Sequence, residues 1–338
     1  MSGIRFGLIG SGSQGRYLSE AAAITEAFDL VACADPNPDA TTEAQRLIGY
    51  AAAYADAGEM LANEELDAVV VATIHDQLQP QALAALNAGK HVLVEKPAAL
   101  TAAGGQELVD AAKAAGVKLM VGYSLRFMPP RILMRQLLDR GAIGDVCQIM
   151  SGQCIGAMGG WLGERKHGGG PLYYIGTHAL DQMIWVASSR AKRVTAEMNF
   201  RDGGGVELEA MINIRFENGI LGQLVASQTL GGRYGWIDVL GTKGRIRAQW
   251  ESDSLWIQSG IIPEYANLTE IALPPTAGLL PAPQTATAQL SGFAYVRTWA
   301  TELKEFADAI NEDREPSVTG EDGVRVLEVM DAAFADAP

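Results

Sequence analysis

The chain has 338 residues, 48% hydrophobic and 20% charged, enough for about two globular domains with buried cores. Its formal charge of -14 repels nucleic acid and anionic lipid, so neither is an expected partner. No apolar run reaches the roughly 18 residues that a membrane-spanning helix needs, so no membrane association is expected either.

In chain order, residues 4–9 read as a buried strand, followed by a glycine cluster and a helical stretch to about residue 27. A second strand covers 30–34, and 42–48 has helical character. A valine-rich strand covers 67–72, and a helix covers 79–88, which Gly89 can terminate. A strand at 91–94, a helix at 101–115 and a strand at 118–121 follow. This alternation implies parallel strands joined by right-handed crossovers.

After about residue 123 the pattern changes. A helix at 132–140 precedes a strand at 146–155, and a glycine-rich segment leads to a helix at 173–186. Residues 193–259 are mainly strand, with Asn218-Gly219 a strong hairpin turn and 241–244 another turn. A proline-rich loop at 274–283 and an amphipathic helix at 298–310 complete the chain, which has no internal repeat. The fold class is therefore α/β: an N-terminal parallel sheet, then an α+β domain with a large, mostly antiparallel open sheet. The domains are read as 1–123 and 124–338, with the C-terminal helix able to pack back on the first.

Cys33, Cys147 and Cys154 match no CxxC spacing, so no metal site is expected and a reducing, cytoplasmic setting is the default. Residues 1–3 lead straight into strand pattern, which leaves no room for a signal peptide.

Gly10-Ser11-Gly12-Ser13-Gln14-Gly15 has the form GxGxxG between a strand and a helix, the context that makes this pattern a dinucleotide-binding turn. Gly10 permits the tight turn, Gly12 lets the backbone approach a pyrophosphate, and Gly15 lets the helix pack against the strand. Unpaired N–H groups and the dipole at the helix start favour the anion. Asp35 ends the second strand, about twenty residues on, where a carboxylate accepts hydrogen bonds from the adenosine ribose and repels the 2′-phosphate of NADP. NAD is the expected cofactor and NADP the lesser one.

Glu95-Lys96-Pro97 follows the strand at 91–94, and the carboxyl ends of parallel strands border the cofactor crevice. Thr73 and His75 lie just past an earlier strand end, where His75 is either close to the cofactor or an exposed turn residue. Further on, Gly168-Gly169-Gly170-Pro171-Leu172-Tyr173-Tyr174-Ile175-Gly176-Thr177-His178-Ala179-Leu180-Asp181 places Tyr174 and His178 at i and i+4 if helical, with Asp181 three residues beyond.

These residues, with Ala72-Thr73, residues 88–92, Arg126-Phe127 and Thr319-Gly320-Glu321-Asp322-Gly323, resemble the Gfo/Idh/MocA oxidoreductase family along nearly the whole chain. The resemblance implies a Rossmann domain joined to an open-sheet domain used for homodimer or homotetramer contacts. It implies Lys96 against substrate and nicotinamide, a Lys96–Pro97 bond that is commonly cis, and His178 as the catalytic histidine. The implied cofactor contacts are Gly10, Gly12, Ser13, Gln14, Gly15, Asp35, Thr73, His75, Glu95 and Lys96. The chain departs from the family at Tyr174, where sugar and inositol dehydrogenases usually carry aspartate. Ile74-His75 also replaces the usual proline and asparagine, and Leu78 stands where histidine is common.

Tyr123, Arg126, Trp161, Lys166 and Asp181 are further substrate candidates, in or near the family's substrate loops or helix. Arg126 fits either an anionic substrate or a structural ion pair, and Trp161 either a sugar face or the core. His91, at the start of a strand, reads as structural. The leading expectation is hydride transfer between NAD and a secondary alcohol of a sugar, polyol or cyclitol-like small molecule. The alternatives are an NAD-recycling glycosidase or lyase, which altered acid–base equipment at Tyr174 would suit, and a non-catalytic NAD-binding regulator.

Overall fold

The structure, a computed structural model, describes residues 3–200, 205–229, 231–250, 254–273 and 293–337. The proline-rich loop expected at 274–283 lies outside the described residues. The chain divides into two compact units, Met1–Phe127 with Gly278–Val324, and Met128–Ala277 with Arg325–Pro338.

The first unit holds six parallel strands: β1 (Ile4–Ile9), β2 (Phe28–Ala34), β3 (Ala52–Tyr54), β4 (Ala68–Val71), β5 (His91–Glu95) and β6 (Leu119–Gly122). Their order is β3-β2-β1-β4-β5-β6, the doubly wound Rossmann arrangement. All of β4 is buried, as parallel strands covered on both faces require, and each buried valine contributes roughly 1.5–3 kcal/mol. The direction of winding reverses between β1 and β4, so the ligand crevice of such a sheet lies beyond their carboxyl ends.

Helices α1 (Ser13–Thr25), α2 (Pro38–Ile48), α3 (Ala57–Asn63), α4 (His75–Asn87) and α5 (Ala102–Ala115) form the crossovers. α2 begins four residues before the expected 42, because Asn37 caps it by accepting from the Asp39 amide and Pro38 fits the first helical position. α4 likewise starts at His75 rather than 79. Starting at 79 puts Pro80 in the first turn, where proline is usual, but the helix carries it inside. The short pair β3 and α3 is absent from the sequence reading. Its signal was Asp56, three residues before Glu59, whose amide the Asp56 side chain accepts at 2.9 Å.

The second unit contains α6 (Pro129–Asp139), β7 (Val146–Cys154), α7 (Thr177–Ala187), β8 (Ala191–Phe200), β9 (Glu207–Phe216) and β10 (Leu221–Ser227). It continues with β11 (Tyr234–Gly241), β12 (Gly244–Gln249), β13 (Ser254–Ser259) and β14 (Thr269–Ala272). The order is β14-β13-β12-β11-β7-β10-β9-β8, antiparallel except between β7 and β10. In β9, Ala210, Ile212, Ile214 and Phe216 are buried while Met211, Asn213 and Arg215 face outward. That two-residue period marks a sheet covered on one face. The covering helices are α6, over β12 and β13, and α7, over β7, β10 and β11. Two further helices complete the chain, α8 (Phe293–Asn311) in the first unit and α9 (Gly320–Asp336), whose first residues belong to the first unit and the rest to the second.

Candidate functional site

In the first unit, the glycine turn has the geometry that its sequence requires. Gly10 has φ +94°, and a Cβ there would meet the Ala72 carbonyl oxygen at 2.5 Å. A Cβ on Gly15 would lie 1.9 Å from the Gly10 oxygen, so only glycine lets α1 approach β1 this closely. Gly12 is different, with nothing within 4 Å of its Cβ position. It is the exposed N-cap of α1, and no side chain caps the helix there. The start of α1 therefore presents backbone N–H groups to an open cradle, the fit that a pyrophosphate needs.

Asp35 closes one side of this turn. Its Oδ2 accepts from the Ser11 amide at 2.8 Å and its Oδ1 from the Asn37 amide at 2.9 Å. The carboxylate is thus fixed in orientation, while each oxygen keeps capacity for a ribose hydroxyl. Ser13 is exposed beside Gly12, and Thr73, half-buried past β4, donates its hydroxyl to the Ile74 carbonyl at 3.2 Å.

Gln14 joins the turn to β5: its Nε2 donates to Glu95 Oε1 at 2.8 Å. Glu95 Oε2 accepts from the Lys96 amide at 3.1 Å. Burial pushes the Glu95 carboxyl above the usual carboxylate range, against the opposing pull of Lys96 and Gln14. Lys96 is half-buried and the Lys96–Pro97 peptide bond is cis. His75 is buried as the first residue of α4, so the exposed-turn reading is corrected; the helix starts earlier than the sequence suggested.

Other candidates in this unit have structural partners. Tyr123 is fully buried. Arg126 is buried and pairs with Asp322 at 3.2 Å, and it donates to the Ser317 carbonyl at 3.3 Å. Asp322 also accepts from the Thr319 amide and donates its own amide to the Thr319 hydroxyl, a reciprocal cap at the start of α9. The Thr319–Gly323 motif therefore caps a helix and holds Arg126. His91 is structural, since its Nδ1 accepts from the Lys118 amide at 3.0 Å and burial lowers its pKa.

In the second unit, residues 172–186 are not one uniform α-helix. Leu172–Gly176 forms a π-helical turn before α7 begins. Tyr174 lies in that turn and His178 in the first turn of α7 after it, so the expected i and i+4 pair spans a π-helical junction, a feature frequent at functional sites. Tyr174 is partly exposed, and its amide donates to the Gly170 carbonyl at 3.1 Å. His178 is buried in the first turn of α7, and Asp181 is buried one turn on.

The His178 ring stands edge-on to Trp250, with centroids 6.3 Å apart. Its carbonyl accepts from Gln182 Nε2 at 3.2 Å, and Gln182 Oε1 accepts from Arg131 Nε at 2.7 Å. Arg131 also donates to the Gln249 carbonyl at 2.9 Å, so α7 is tied to α6 and to the end of β12. Trp161 is half-buried in a short 3-10 turn. Lys166 is exposed and pairs with Glu164 at 2.9 Å. Sequence reasoning missed Trp250, Gln182, Arg131 and Glu207, because their places depend on contacts across the sheet that no local spacing reveals. No group of histidine, cysteine, aspartate and glutamate among the described residues could hold a metal ion.

Comparison with known proteins matches residues 4–123 to the family model described as an oxidoreductase family with an NAD-binding Rossmann fold. Residues 132–247 match the GFO/IDH/MocA C-terminal domain. The chain belongs to the Gfo/Idh/MocA oxidoreductase family. It is therefore an NAD-dependent oxidoreductase, and the open cradle at Gly12 with the clasped Asp35 carboxylate fits that cofactor. Among Gfo/Idh/MocA relatives, levoglucosan dehydrogenase of Pseudarthrobacter phenanthrenivorans is 28% identical over 100% of this chain and 97% of the relative. The 1,5-anhydro-D-fructose reductase of Ensifer adhaerens is 26% identical over 95% of this chain and 92% of the relative. Myo-inositol 2-dehydrogenase of Thermotoga maritima is 26% identical, covering 96% and 93%. A solved levoglucosan dehydrogenase in complex with NADH superposes with a TM-score of 0.90 at 25% identity, covering 99% of this chain and 97% of that one.

Proposed function

We propose that this protein oxidises, reversibly, a secondary alcohol of a cyclic sugar, anhydro-sugar or cyclitol. The observation that carries the reading is likeness over nearly the whole chain to three relatives named for such polyhydroxylated rings. NAD, when bound, supplies the hydride acceptor. Gly10, Gly12, Ser13, Gln14 and Gly15 would hold its pyrophosphate side, Asp35 its adenosine ribose, and Thr73, His75, Glu95 and Lys96 the nicotinamide half. His178 removes the hydroxyl proton onto its imidazole, because a carbinol that loses hydride leaves a protonated carbonyl unless a base takes that proton. Lys96 orients the oxygen and stabilises its developing charge. Tyr174, a phenol where the family resemblance leads one to expect aspartate, donates a hydrogen bond through its hydroxyl. Tyr123, Trp161, Lys166 and Asp181 stand as the further substrate-side residues of this reading, while Arg126 is held by Asp322 and Ser317 instead.

The same reading assigns 1–123 as the dinucleotide domain and 124–338 as the substrate and assembly domain, in a cytoplasmic homodimer or homotetramer that binds neither nucleic acid nor membrane. One observation supports the assembly. The outer sheet face exposes Met211, Leu221 and Tyr234, apolar groups suited to a second copy. All three cysteines are free, and no helix among the described residues is long and apolar enough to cross a membrane.

The test is a panel of anhydro-sugars, inositols and aldoses incubated with NAD while nicotinamide absorbance is followed. NADH accumulates with one ring class, and His178→Ala lowers the rate by about 10²–10⁴. Product formed without NADH would replace this reading with transient, cofactor-recycling oxidation. Undiminished turnover in both Lys96→Ala and His178→Ala would remove the assigned roles.

A further inference from the structure

Gln153 lies on β7, on the helix-covered face of the sheet, and is wholly shielded from solvent. Its cross-strand neighbours are Gly235 on β11 and Ala226 on β10, so no side chain larger than a methyl flanks it in the sheet. A Cβ on Gly235 would lie 3.0 Å from Gln153 Nε2 and 2.9 Å from the Trp250 ring. Trp250 is the indole that stands edge-on to His178, and the Arg233 guanidinium lies 4.9 Å from its ring centre. The amide of Gln153 thus sits in the same neighbourhood of the second unit as the family's histidine.

Within this neighbourhood the carboxamide has no hydrogen-bond partner at Nε2 or at Oε1. A buried amide with both ends unmet costs stability, and an unbranched apolar side chain of the same length would fill the space without that cost. The fold gains nothing from this amide as it stands; its donor and acceptor suit a ligand that offers both. Hydroxyl groups on a ring do so, each giving one proton and accepting another.

We propose that Gln153 is a specificity residue that reads substrate hydroxyls, its Nε2 donating to one hydroxyl oxygen and its Oε1 accepting from a hydroxyl. The inference rests on the polyol-oxidoreductase reading and deepens it. The sheet neighbours of Gln153, Gly235 and Ala226, carry no polar side-chain atom that could meet the amide in a ligand's place. Pockets built to pair a substrate hydroxyl discriminate strongly against analogues that lack it, because the protein group is then stranded.

The experiment compares wild type with Gln153→Met, which keeps the chain length and removes both polar atoms. Each NAD-loaded protein is assayed with the ring compound that the substrate panel selects and with its single-deoxy analogues, alongside thermal unfolding and NADH titration. The expected result is about a tenfold or greater rise in KM for the parent substrate, with NADH affinity unchanged and melting temperature equal or higher. One deoxy analogue loses about tenfold with wild type and nothing further with the variant. A lower melting temperature with unchanged KM would overturn the proposal, showing an amide that serves the fold through bound water. Equal losses across all deoxy analogues in both proteins would overturn it too. Wild-type turnover with intact variant kinetics sinks this inference alone; an NAD-binding wild type that turns over no polyol sinks the functional reading with it.

Discussion

Glu207, the first residue of β9, accepts a hydrogen bond from the amide of Leu172 at 3.0 Å, across 35 residues of sequence. Its other oxygen pairs with Arg165 at 2.6 Å, and the Arg165 guanidinium lies 3.7 Å from the centre of the Phe334 ring. Gly170 packs against the carboxylate so closely that a Cβ would meet Oε1 at 2.5 Å. One buried carboxylate therefore secures the glycine-rich loop and the π-helical turn that leads to His178.

Glu207→Ala removes the acceptor and leaves the buried Leu172 amide unmet. A loss of about 1–3 kcal/mol in urea unfolding is expected, with a fall in turnover because the loop before α7 loosens. Glu207→Gln keeps an acceptor for Leu172 and should recover much of both. Equal defects in the two variants would show that charge pairing with Arg165, not the grip on Leu172, sets the loop.

The pH dependence of stability should carry the signature of Glu95. Burial raises its folded pKa above the unfolded value, so its contribution is fully present below the unfolded pKa and is lost as pH rises through the folded one. Glu95→Gln has no such proton to lose. The melting temperature of the variant minus that of wild type should become more positive as pH rises above the usual carboxylate range. A difference that is flat with pH, or that falls, would contradict a raised Glu95.

Most of the Rossmann unit was legible because its signals are local: the GxGxxG turn, the acid after β2, and buried valine runs at parallel-strand length. Its omissions were also local, in caps not credited at Asn37 and Asp56 and a proline carried inside α4. In the second unit, Asn218-Gly219 marked the β9–β10 hairpin, where Gly219 has φ +91°. Strand order and the neighbours of His178 were not legible. Trp250 and Gln153 both flank Gly235 through sheet register, and the π-helical turn leaves no mark in residue spacing. Arg126 shows the same limit, since its partner Asp322 lies 196 residues away.

Asp35 should govern the choice between dinucleotides. Its carboxylate is already anchored by Ser11 and Asn37, so it meets a ribose without reorganising. Asp35→Asn replaces charged hydrogen bonds with neutral ones and removes repulsion of a 2′-phosphate. NADH affinity should fall by about tenfold or more, while NADPH affinity holds or rises. Fluorescence titration with both reduced cofactors reads the ratio, and an unchanged ratio would place the ribose elsewhere.

Gly12 and Gly15 separate binding from folding within a single turn. Gly12 has φ -64° and ψ -171°, which any residue adopts, and its Cβ position is empty. Gly12→Ala should therefore fold with stability within about 0.5 kcal/mol of wild type. The added methyl stands at the helix start where the pyrophosphate must approach, so NADH binding should weaken severely. Gly15→Ala drives a methyl against the Gly10 carbonyl, an unyielding backbone atom 1.9 Å away, and the strand and helix must part. Its melting temperature should fall well below that of Gly12→Ala. Should Gly12→Ala bind NADH normally while Gly15→Ala stays fully stable, the cofactor cannot lie on this turn, for the first methyl would block it and the second would break the packing that forms it.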